Sequence, residues 1–293
     1  MAFALSTFSL SSQTHNRAKK GQDFSLSGKG KDNHGYFQYI LIADGHGYGY
    51  YSKILSSESF TWNTVVCCNT EKEMSHELQR QIKILAPDTD FTNDGSTLSI
   101  VKVYNLDSVI KCYWIGDSQI RVFKDGKLVF KSKNHNGTNK KELMRLTKEK
   151  EKHNLDYKIK KVASICLDNA DTIKMKKYLQ FHFNKNKRCE KMLITRAIGH
   201  NNKLFPVFQT KTITQKSMDF SVIVASDGFW DMYCNDNEDD VQLLLKQDSQ
   251  FLVKYALTRW NQKWNYKQKN ITKQIILPPE SHDDISVAVI RSC

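Results

Sequence analysis

The sequence predicts an α+β fold in which short, mainly antiparallel strands form the sheets and a few amphipathic helices cover them. Between residues 98 and 130, short apolar segments alternate with turn residues, and Asp125-Gly126 is a strong hairpin signal. This meander argues against a doubly wound parallel sheet. Apolar residues recur at helical spacing over residues 71–85, which is typical of a surface helix with one buried face.

The same criteria predict the other elements along the chain. Strands are expected at residues 1–12, 24–26, 36–43, 98–104, 109–115, 119–123, 128–130, 210–214, 220–225 and directly after Asp283. Helices are expected at residues 50–58, 71–85, from 140 onward, 238–247 and 251–262. Asn139 is the predicted N-cap of the third helix, with Glu142 as its capping-box partner. Residues 151–190 are rich in lysine and poorly periodic, so we expect disorder over part of them.

Length and composition indicate one domain. The chain has 293 residues, of which 40% are hydrophobic, and this is enough to form a core. No Pro-, Ser- or Gly-rich linker and no sustained repeat divides the sequence. We therefore expect a single domain over residues 1–293, with a basic insert at about 131–193.

The positive charge is concentrated in that insert. The net charge of the chain is +13, and residues 131–193 hold 18 Lys and Arg against 7 Asp and Glu, a net charge of +11. Three interpretations stay open: a solvated surface insert, a surface that attracts phosphorylated or acidic substrates, and a tether for a polyanion such as RNA or DNA. Most of the aromatic side chains of a single-strand nucleic-acid platform are missing.

Targeting and membrane signals are weak. No apolar run approaches the ~18–20 residues of a membrane span, and the N-terminus lacks the basic region and long apolar core of a signal peptide. We expect a monomer without a membrane partner, in the cytoplasm or, alternatively, the nucleus. The seven Cys residues are odd in number and show no CxxC spacing, so neither a zinc site nor a disulfide framework is predicted.

Acidic residues stand at the ends of several predicted strands. Asp44, Asp117 and Asp227 each follow an apolar strand, and Asp283 precedes the last one. If the last strand is antiparallel to its neighbours, all four carboxylates meet at one edge. Clustered carboxylates repel one another unless cations lie between them, and an all-oxygen ligand set suits Mg²⁺ or Mn²⁺. Each Asp could instead form only a turn, but four acids, with His46 beside the first, favour a metal site.

Six motifs occur in order along the chain: Asp44-Gly45-His46-Gly47, Gly95-Ser96-Thr97, Gly116-Asp117-Ser118, Thr195-Arg196-Ala197-Ile198-Gly199, Ala225-Ser226-Asp227-Gly228-Phe229-Trp230-Asp231 and Asp283-Asp284-Ile285-Ser286-Val287. In type, order and spacing they resemble the motifs of the metal-dependent Ser/Thr protein phosphatases, the PPM or protein phosphatase 2C family. The resemblance covers nearly the whole chain, and it implies that residues 1–293 form one catalytic domain in which the basic insert at about 131–193 is flap-like. It implies a four-layer α-β-β-α sandwich of two mainly antiparallel sheets flanked by helices.

The resemblance also implies a site for two Mg²⁺ or Mn²⁺ ions that activate a water for attack on phosphorus. The implied ligands are Asp44, which bridges the ions, the Gly45 carbonyl, Asp227 and Asp283, with Asp23 acting directly or through water. Asp117 and Asp231 match the position of a third, weaker ion. For these last two residues, a turn or salt-bridge role is the alternative.

Two further residues receive roles from the resemblance. His46 is expected to protonate the leaving Ser or Thr oxygen, because imidazole titrates near neutral pH. Arg17 is expected to bind the substrate phosphate through its planar fork of donors. A solvated surface role is the alternative for Arg17, and Lys19 or Lys20 could then take its place.

The implied activity is hydrolysis of phosphoserine and phosphothreonine in proteins, so phosphorylated proteins are the expected partners. The alternative is a catalytically inactive phosphatase-like scaffold or regulatory binding protein. Inactive relatives usually lose ligand acids, whereas Asp44, Asp227 and Asp283 are all present. Four positions depart from the family pattern. Gln22 replaces a Glu or Asn, Tyr48 a Gly and His200 an Asp, and Asp284 replaces an Asn and adds a negative charge near the site.

Overall fold

The computed structural model describes residues 8–17, 21–104, 109–153, 157–169, 171–185, 188–202, 206–214, 219–234, 238–268 and 271–292. The helices are α1 (Tyr50–Leu55), α2 (Trp62–Val66), α3 (Glu71–Leu85), α4 (Lys140–His153), α5 (Asp227–Trp230), α6 (Glu238–Lys246) and α7 (Ser249–Asn261). The strands are β1 (Phe8–His15), β2 (Asp23–Asp32), β3 (Gly35–His46), β4 (Gly95–Ser96), β5 (Leu98–Tyr104), β6 (Val109–Ile115), β7 (Gln119–Lys124), β8 (Lys127–Lys131), β9 (Tyr157–Leu167), β10 (Thr172–Lys185), β11 (Arg188–Met192), β12 (Ile198–Gly199), β13 (Gln209–Thr214), β14 (Phe220–Ala225), β15 (Lys263–Gln268), β16 (Ile271–Ile276) and β17 (Ile285–Ser292). Short 3₁₀ turns lie at His200–Asn202 and Pro279–Ser281.

Two antiparallel sheets form the body of the fold. The first has the strand order β1-β17-β14-β7-β8. The second has the order β12-β4-β3-β5-β6-β13, and β2 pairs with β3. The predicted meander from β5 to β8 is present, but it crosses from one sheet to the other between β6 and β7.

Alternation along the strands creates the layers. In β3, Ile40 and Ile42 face the first sheet and form a core between the two sheets with residues such as Val224. The neighbouring Leu41 faces the other way and packs under α1–α3. On the far side of the first sheet, Ile223 belongs to a core that includes residues of α5–α7. The predicted four-layer α-β-β-α sandwich is therefore confirmed.

The lysine-rich segment contains regular structure that the sequence analysis did not predict. β9 and β10 pair antiparallel along eleven residues, and β10 also contacts β11 and β15. This third sheet is tied to the body because Ile173 and Trp264 are fully buried in the core under α5–α7. Disorder was expected over part of 151–190, but the described residues of this segment are mainly strand.

Several elements have bounds that differ from the predicted ones. The first predicted helix ends at Leu55 rather than residue 58, and the short α2 was not predicted. The helix over 71–85 has the predicted bounds. Residues 1–7 of the first predicted strand lie outside the described residues. In the part of the chain that the structure describes, no helix is long and apolar enough to cross a membrane.

Candidate active site

The sheet topology brings the predicted acidic residues to one edge of the sandwich. Asp23 begins β2 and lies directly opposite Asp44 near the end of β3. Asp227 follows β14, and Asp283 precedes β17, which pairs antiparallel with β14 as the sequence argument required. Asp117 lies in the connection between β6 and β7.

All of these acids except Asp23 line a cleft of about 510 Å³, and the predicted ligand Asp231 does not line it either. The predicted site residues that line it are Arg17, Asp44, Gly45, His46, Asp117, Asp227 and Asp283. His200, Asp284 and the 193–194 segment also contribute to its wall. The volume is within the range typical of small-ligand sites.

Burial and mutual repulsion make the carboxylates hard to ionise. Burial, followed by the charges of Asp23 and Asp227, raises the pKa of Asp44 well above its usual value. The pKa of Asp227 is raised to about 6, by burial and then by Asp231. The pKa of Asp283 is raised to about 7, by burial and then by Asp227. Such shifts are expected where like charges converge without a counterion.

The environment of Asp23 also disfavours its charged form. Burial, with nearby acids, raises its pKa although Ser226 donates a hydrogen bond to it. Its Oδ2 atom is buried without a hydrogen-bond partner in the described structure. A buried acceptor without a partner is unfavourable, and a cation would relieve it.

The donor set fits a hard divalent cation, because it consists of carboxylate and carbonyl oxygens. Within the described residues, no three His, Cys, Asp or Glu side chains already stand in a geometry that could hold an ion. The fit therefore rests on donor chemistry, on the raised carboxylate pKa values and on the partnerless oxygen of Asp23.

Gly45 allows β3 to pass close to its neighbours at this edge. A Cβ atom there would stand 1.7 Å from Ser52 Oγ and 2.7 Å from the Gln22 carbonyl oxygen. The Gly45 N–H donates to that same carbonyl, with 3.2 Å between nitrogen and oxygen. Only glycine fits such an approach.

The Gly95-Ser96-Thr97 segment fixes the backbone of Asp44. The Thr97 N–H donates to the Asp44 carbonyl at 2.8 Å, and Ser96 Oγ donates to the same oxygen at 3.0 Å. The role of this motif is therefore structural.

His46 is paired with a residue that the sequence analysis had noted only as a departure. Its Nε2 atom lies 2.6 Å from Nε2 of His200. Burial, and then the neighbouring His200, lowers the pKa of His46 to about 3. The sequence did contain a signal for His200, because an imidazole stands where the family has an Asp after the Thr-Arg motif.

Arg17 stands at the rim of the cleft and is held there by the last loop. Its guanidinium donates to the carbonyl oxygens of Pro279 and Glu280 at 3.2 and 3.1 Å. The positive charge of Arg17 acts against the rise in the pKa of Asp283, and both residues line the cleft. Lys19 and Lys20, the alternatives to Arg17, lie outside the described residues.

Asp284 has a role that the sequence did not indicate. It raises the pKa of Asp23 and Asp283, as expected of an added negative charge. Its buried carboxylate also accepts hydrogen bonds from the backbone N–H groups of Arg17 and Gln22.

Asp117 and Asp231 lie beside Asp227. Burial, then Asp227, then Asp231 raise the pKa of Asp117. The Asp231 N–H donates to the Asp227 carbonyl at 2.7 Å. The structure therefore groups these two acids with the principal cluster.

The Thr195-Arg196 motif is structural. Arg196 forms two hydrogen bonds with the buried carboxylate of Glu142, at 2.6 and 2.9 Å. The predicted capping box of Asn139 and Glu142 is thus half wrong: Asn139 Oδ1 accepts from the Lys141 N–H, but Glu142 pairs with Arg196. The tertiary ion pair outweighs the local cap.

Residues 23–246 match the family model described as Protein phosphatase 2C. The chain belongs to the protein phosphatase 2C family. The matched residues exclude Arg17 and Asp283, which the fold adds to the same cleft. No curated protein sequence matches the chain significantly.

Solved structures of protein phosphatases share the fold of this protein phosphatase 2C family member. A serine/threonine phosphatase of S. agalactiae is similar with 19% identity and a TM-score of 0.56, over 98% of this chain and 99% of that one. The Mycobacterium tuberculosis phosphatase PstP/Ppp has 14% identity and a TM-score of 0.53, over 97% and 98%. The PstP catalytic domain in complex with two manganese ions has 14% identity and a TM-score of 0.51, with 97% of each chain covered.

Proposed function

We propose that this protein phosphatase 2C family member is a metal-dependent protein Ser/Thr phosphatase that hydrolyses phosphoserine and phosphothreonine. The observation that carries the proposal is the group of acids around Asp44, whose pKa values are raised by burial and mutual repulsion at the edge of one cleft. Charged groups with strongly shifted pKa values in a cleft are typical of functional sites.

Asp44, the Gly45 carbonyl, Asp227 and Asp283 would hold two Mg²⁺ or Mn²⁺ ions, with Asp23 beside them, and Asp117 and Asp231 would serve a third. When bound, such ions acidify a water and align it for in-line attack on phosphorus. The two manganese ions of the PstP domain support this assignment. Bound cations would offset the repulsion among the acids around Asp44 and favour their charged forms, so activity should depend on the ions.

Arg17 and His46 would act on the substrate itself. Arg17 has donors beyond the Nη1 that contacts the last loop, and these suit the oxygens of a phosphate. His46 would give a proton to the leaving Ser or Thr oxygen. A bound phosphate carries negative charge, which favours the protonated imidazole and opposes the effect of burial on its pKa.

The basic segment would attract acidic or polyanionic partners. Lys160 and Lys161 are exposed in β9, and clustered lysines raise the local concentration of anions. Salt-dependent retention on heparin that is lost in the Lys160→Glu/Lys161→Glu variant would support this interaction, and equal retention of both proteins would contradict it. The described part of the segment is tied into the core, so charge reversal is a cleaner test than deletion.

The deciding experiment is hydrolysis of a phosphothreonine peptide with Mn²⁺, with Mg²⁺ and with EDTA. We expect turnover that requires the ion and is lost in Asp44→Asn, while the exposed Asp88→Asn variant serves as a matched control. Binding of Mn²⁺, measured by calorimetry, should also be weakened in Asp44→Asn. A folded protein that binds neither ion and has no turnover would overturn the proposal and favour the inactive scaffold.

A further inference from the structure

His200 is buried against His46 in a specific geometry. The two Nε2 atoms are 2.6 Å apart, and the rings are stacked with centroids 4.8 Å apart and an interplanar angle of 13°. On its other side, Nδ1 of His200 lies 3.1 Å from the carbonyl oxygen of Thr92. Both ring nitrogens of His200 therefore have hydrogen-bond partners.

These contacts determine where the hydrogens lie. A carbonyl oxygen can only accept, so Nδ1 of His200 donates to Thr92. A neutral His200 then has its lone pair on Nε2, because only one nitrogen of a neutral imidazole carries hydrogen. His46 must consequently be the donor between the two Nε2 atoms.

The backbone conformation around His200 places its ring against His46. His200 has a φ of 49°, a left-handed conformation that is unfavourable for a residue with a side chain. Its N–H donates to the Asp94 carbonyl at 2.8 Å, which holds that conformation. A Cβ atom at Gly95 would stand 2.5 Å from the His200 ring, so glycine is required beneath it.

We propose that His200 is a positioning residue for the phosphatase reaction. By accepting the Nε2 hydrogen of His46, it fixes the orientation of that ring and leaves Nδ1 of the protonated His46 to give its hydrogen to the leaving oxygen. His46 is then neutral, with its remaining hydrogen on Nε2. The chain of contacts runs from the Thr92 carbonyl through His200 to His46. Its catalytic part rests on the proposed function, whereas the hydrogen-bond pattern stands on the structure alone.

Two variants test separately whether His200 acts as a hydrogen-bond acceptor or through the stacking of its ring. His200→Gln keeps an acceptor at similar reach, and His200→Phe keeps a stacked ring without an acceptor. Two substrates separate proton donation from the rest of the reaction. A phosphothreonine peptide releases an alkoxide that needs a proton, whereas p-nitrophenyl phosphate releases a stable phenolate.

In His200→Phe we expect kcat for the phosphopeptide to fall by about 10²-fold, the usual contribution of a positioned general acid. For the same variant, kcat for p-nitrophenyl phosphate should change by less than about threefold. His200→Gln should keep most of the phosphopeptide activity, and KM should change little in either variant. Equal losses on both substrates, or no loss on either, would overturn the inference.

The tautomers provide a readout that is independent of turnover. Imidazole ¹⁵N NMR of the wild-type protein should show hydrogen on Nδ1 of His200 and on Nε2 of His46. Hydrogen on Nε2 of a neutral His200 would overturn the inference even if both variants failed to fold. A wild-type protein that hydrolyses neither substrate would overturn the proposed function, and with it the catalytic part of this inference, while the NMR result would still decide the hydrogen bond.

Discussion

The backbone N–H of Arg17 donates a hydrogen bond of 2.6 Å to Oδ1 of Asp284, and the N–H of Gln22 donates one of 2.8 Å to Oδ2. One buried carboxylate thus connects both ends of the 17–22 segment to the start of β17. Since the guanidinium of Arg17 also donates to the 279–280 backbone, the last loop sets the position of Arg17 at the cleft.

Replacing Asp284 with Ala should therefore weaken substrate binding. The variant loses both charge-assisted hydrogen bonds, and Arg17 is no longer held toward the cleft. We expect KM for a phosphothreonine peptide to rise by about tenfold, equivalent to about 1.4 kcal/mol, with a smaller change in kcat. Steady-state kinetics at saturating Mn²⁺ measure this effect.

Two controls belong to that measurement. Asp284→Asn keeps one acceptor oxygen and should fall between the wild type and the Ala variant. Asp88→Asn removes a charge from an exposed residue that does not line the cleft, so KM should stay the same. An unchanged KM in Asp284→Ala would show that Arg17 does not need this support.

The raised carboxylate pKa values predict how the stability of the metal-free protein depends on pH. Burial, followed by neighbouring acids, raises the pKa of Asp227 to about 6 and that of Asp283 to about 7, whereas both titrate near 4 in the unfolded chain. The folded state thus binds more protons between these values, so its stability falls as the pH rises through 6 to 7. In EDTA, the melting temperature should decrease from pH 5 to pH 8, and Mn²⁺ should restore it.

Removing one charge from the acid cluster should raise the stability of the metal-free protein but abolish its activity. In EDTA at pH 8, Asp227→Asn should be more stable than the wild type by about 1–2 kcal/mol, because repulsion at the site is reduced. It should also lose turnover and most of the stabilisation by Mn²⁺. Urea denaturation measures the difference, with Asp88→Asn as the control, and a metal-free Asp227→Asn that is less stable than wild type would argue against repulsion.

The sequence predicted the parts of the fold that depend on the local spacing of apolar and polar residues. The buried face of α3 and the acids at the ends of β3 and β14 follow from helical spacing and from apolar strands that end in Asp-Gly. β9 and β10 were missed because lysine obscures their alternation. Their place depends on pairing with β15, which lies far away in the sequence.

The missed parts of the candidate site depend on contacts between distant residues. Arg17 and Asp284 are 267 positions apart, and His46 and His200 are 154 positions apart. The pairing of the two-residue strands β12 and β4 brings His200 over Gly95. No local spacing encodes such a contact, although the replacement of the family Asp by His200 indicated where to look.

The ion pairs of Glu142 should make a large contribution to stability. This side chain is 2% exposed and contacts both Arg145 and Arg196. Burial alone would raise its pKa, but the hydrogen bonds from Arg196 and Arg145 lower it to about 2. Glu142→Ala leaves Arg196 buried without its partner, so the free energy of unfolding should fall by about 3–5 kcal/mol.

A matched surface pair is the control for Glu142. Glu77 contacts Arg80 one helical turn away, and Arg80 is 51% exposed. Water screens the exposed Arg80, so Arg80→Ala, which leaves the hydrogen bonds of Glu77 with Thr64 and Gln81 in place, should cost less than about 1 kcal/mol. Equal losses in the two variants, measured by urea denaturation, would contradict the argument from burial.

A second buried charge lies at the opposite end of β3 from the cleft. Lys102 Nζ is fully buried and donates to Asp32 Oδ2 at 3.0 Å and to the Cys68 carbonyl at 2.7 Å. Tyr104 donates to the same carboxylate oxygen at 2.5 Å. Asp32→Asn should lower the free energy of unfolding by about 3 kcal/mol, because the charge of Lys102 loses its counterion.

The double variant Asp32→Asn/Lys102→Met tests whether that loss comes from the unpaired charge. With both charges removed, the protein should recover part of the stability lost in Asp32→Asn, since no isolated ammonium remains in the core. The phosphatase rate per folded molecule should be unchanged in both variants, because Asp32 pairs with Gly35 at the start of β3 whereas Asp44 lies near its end. A double variant less stable than Asp32→Asn would show that Lys102 stabilises the fold through its contact with the Cys68 carbonyl or through packing, independently of its charge partner.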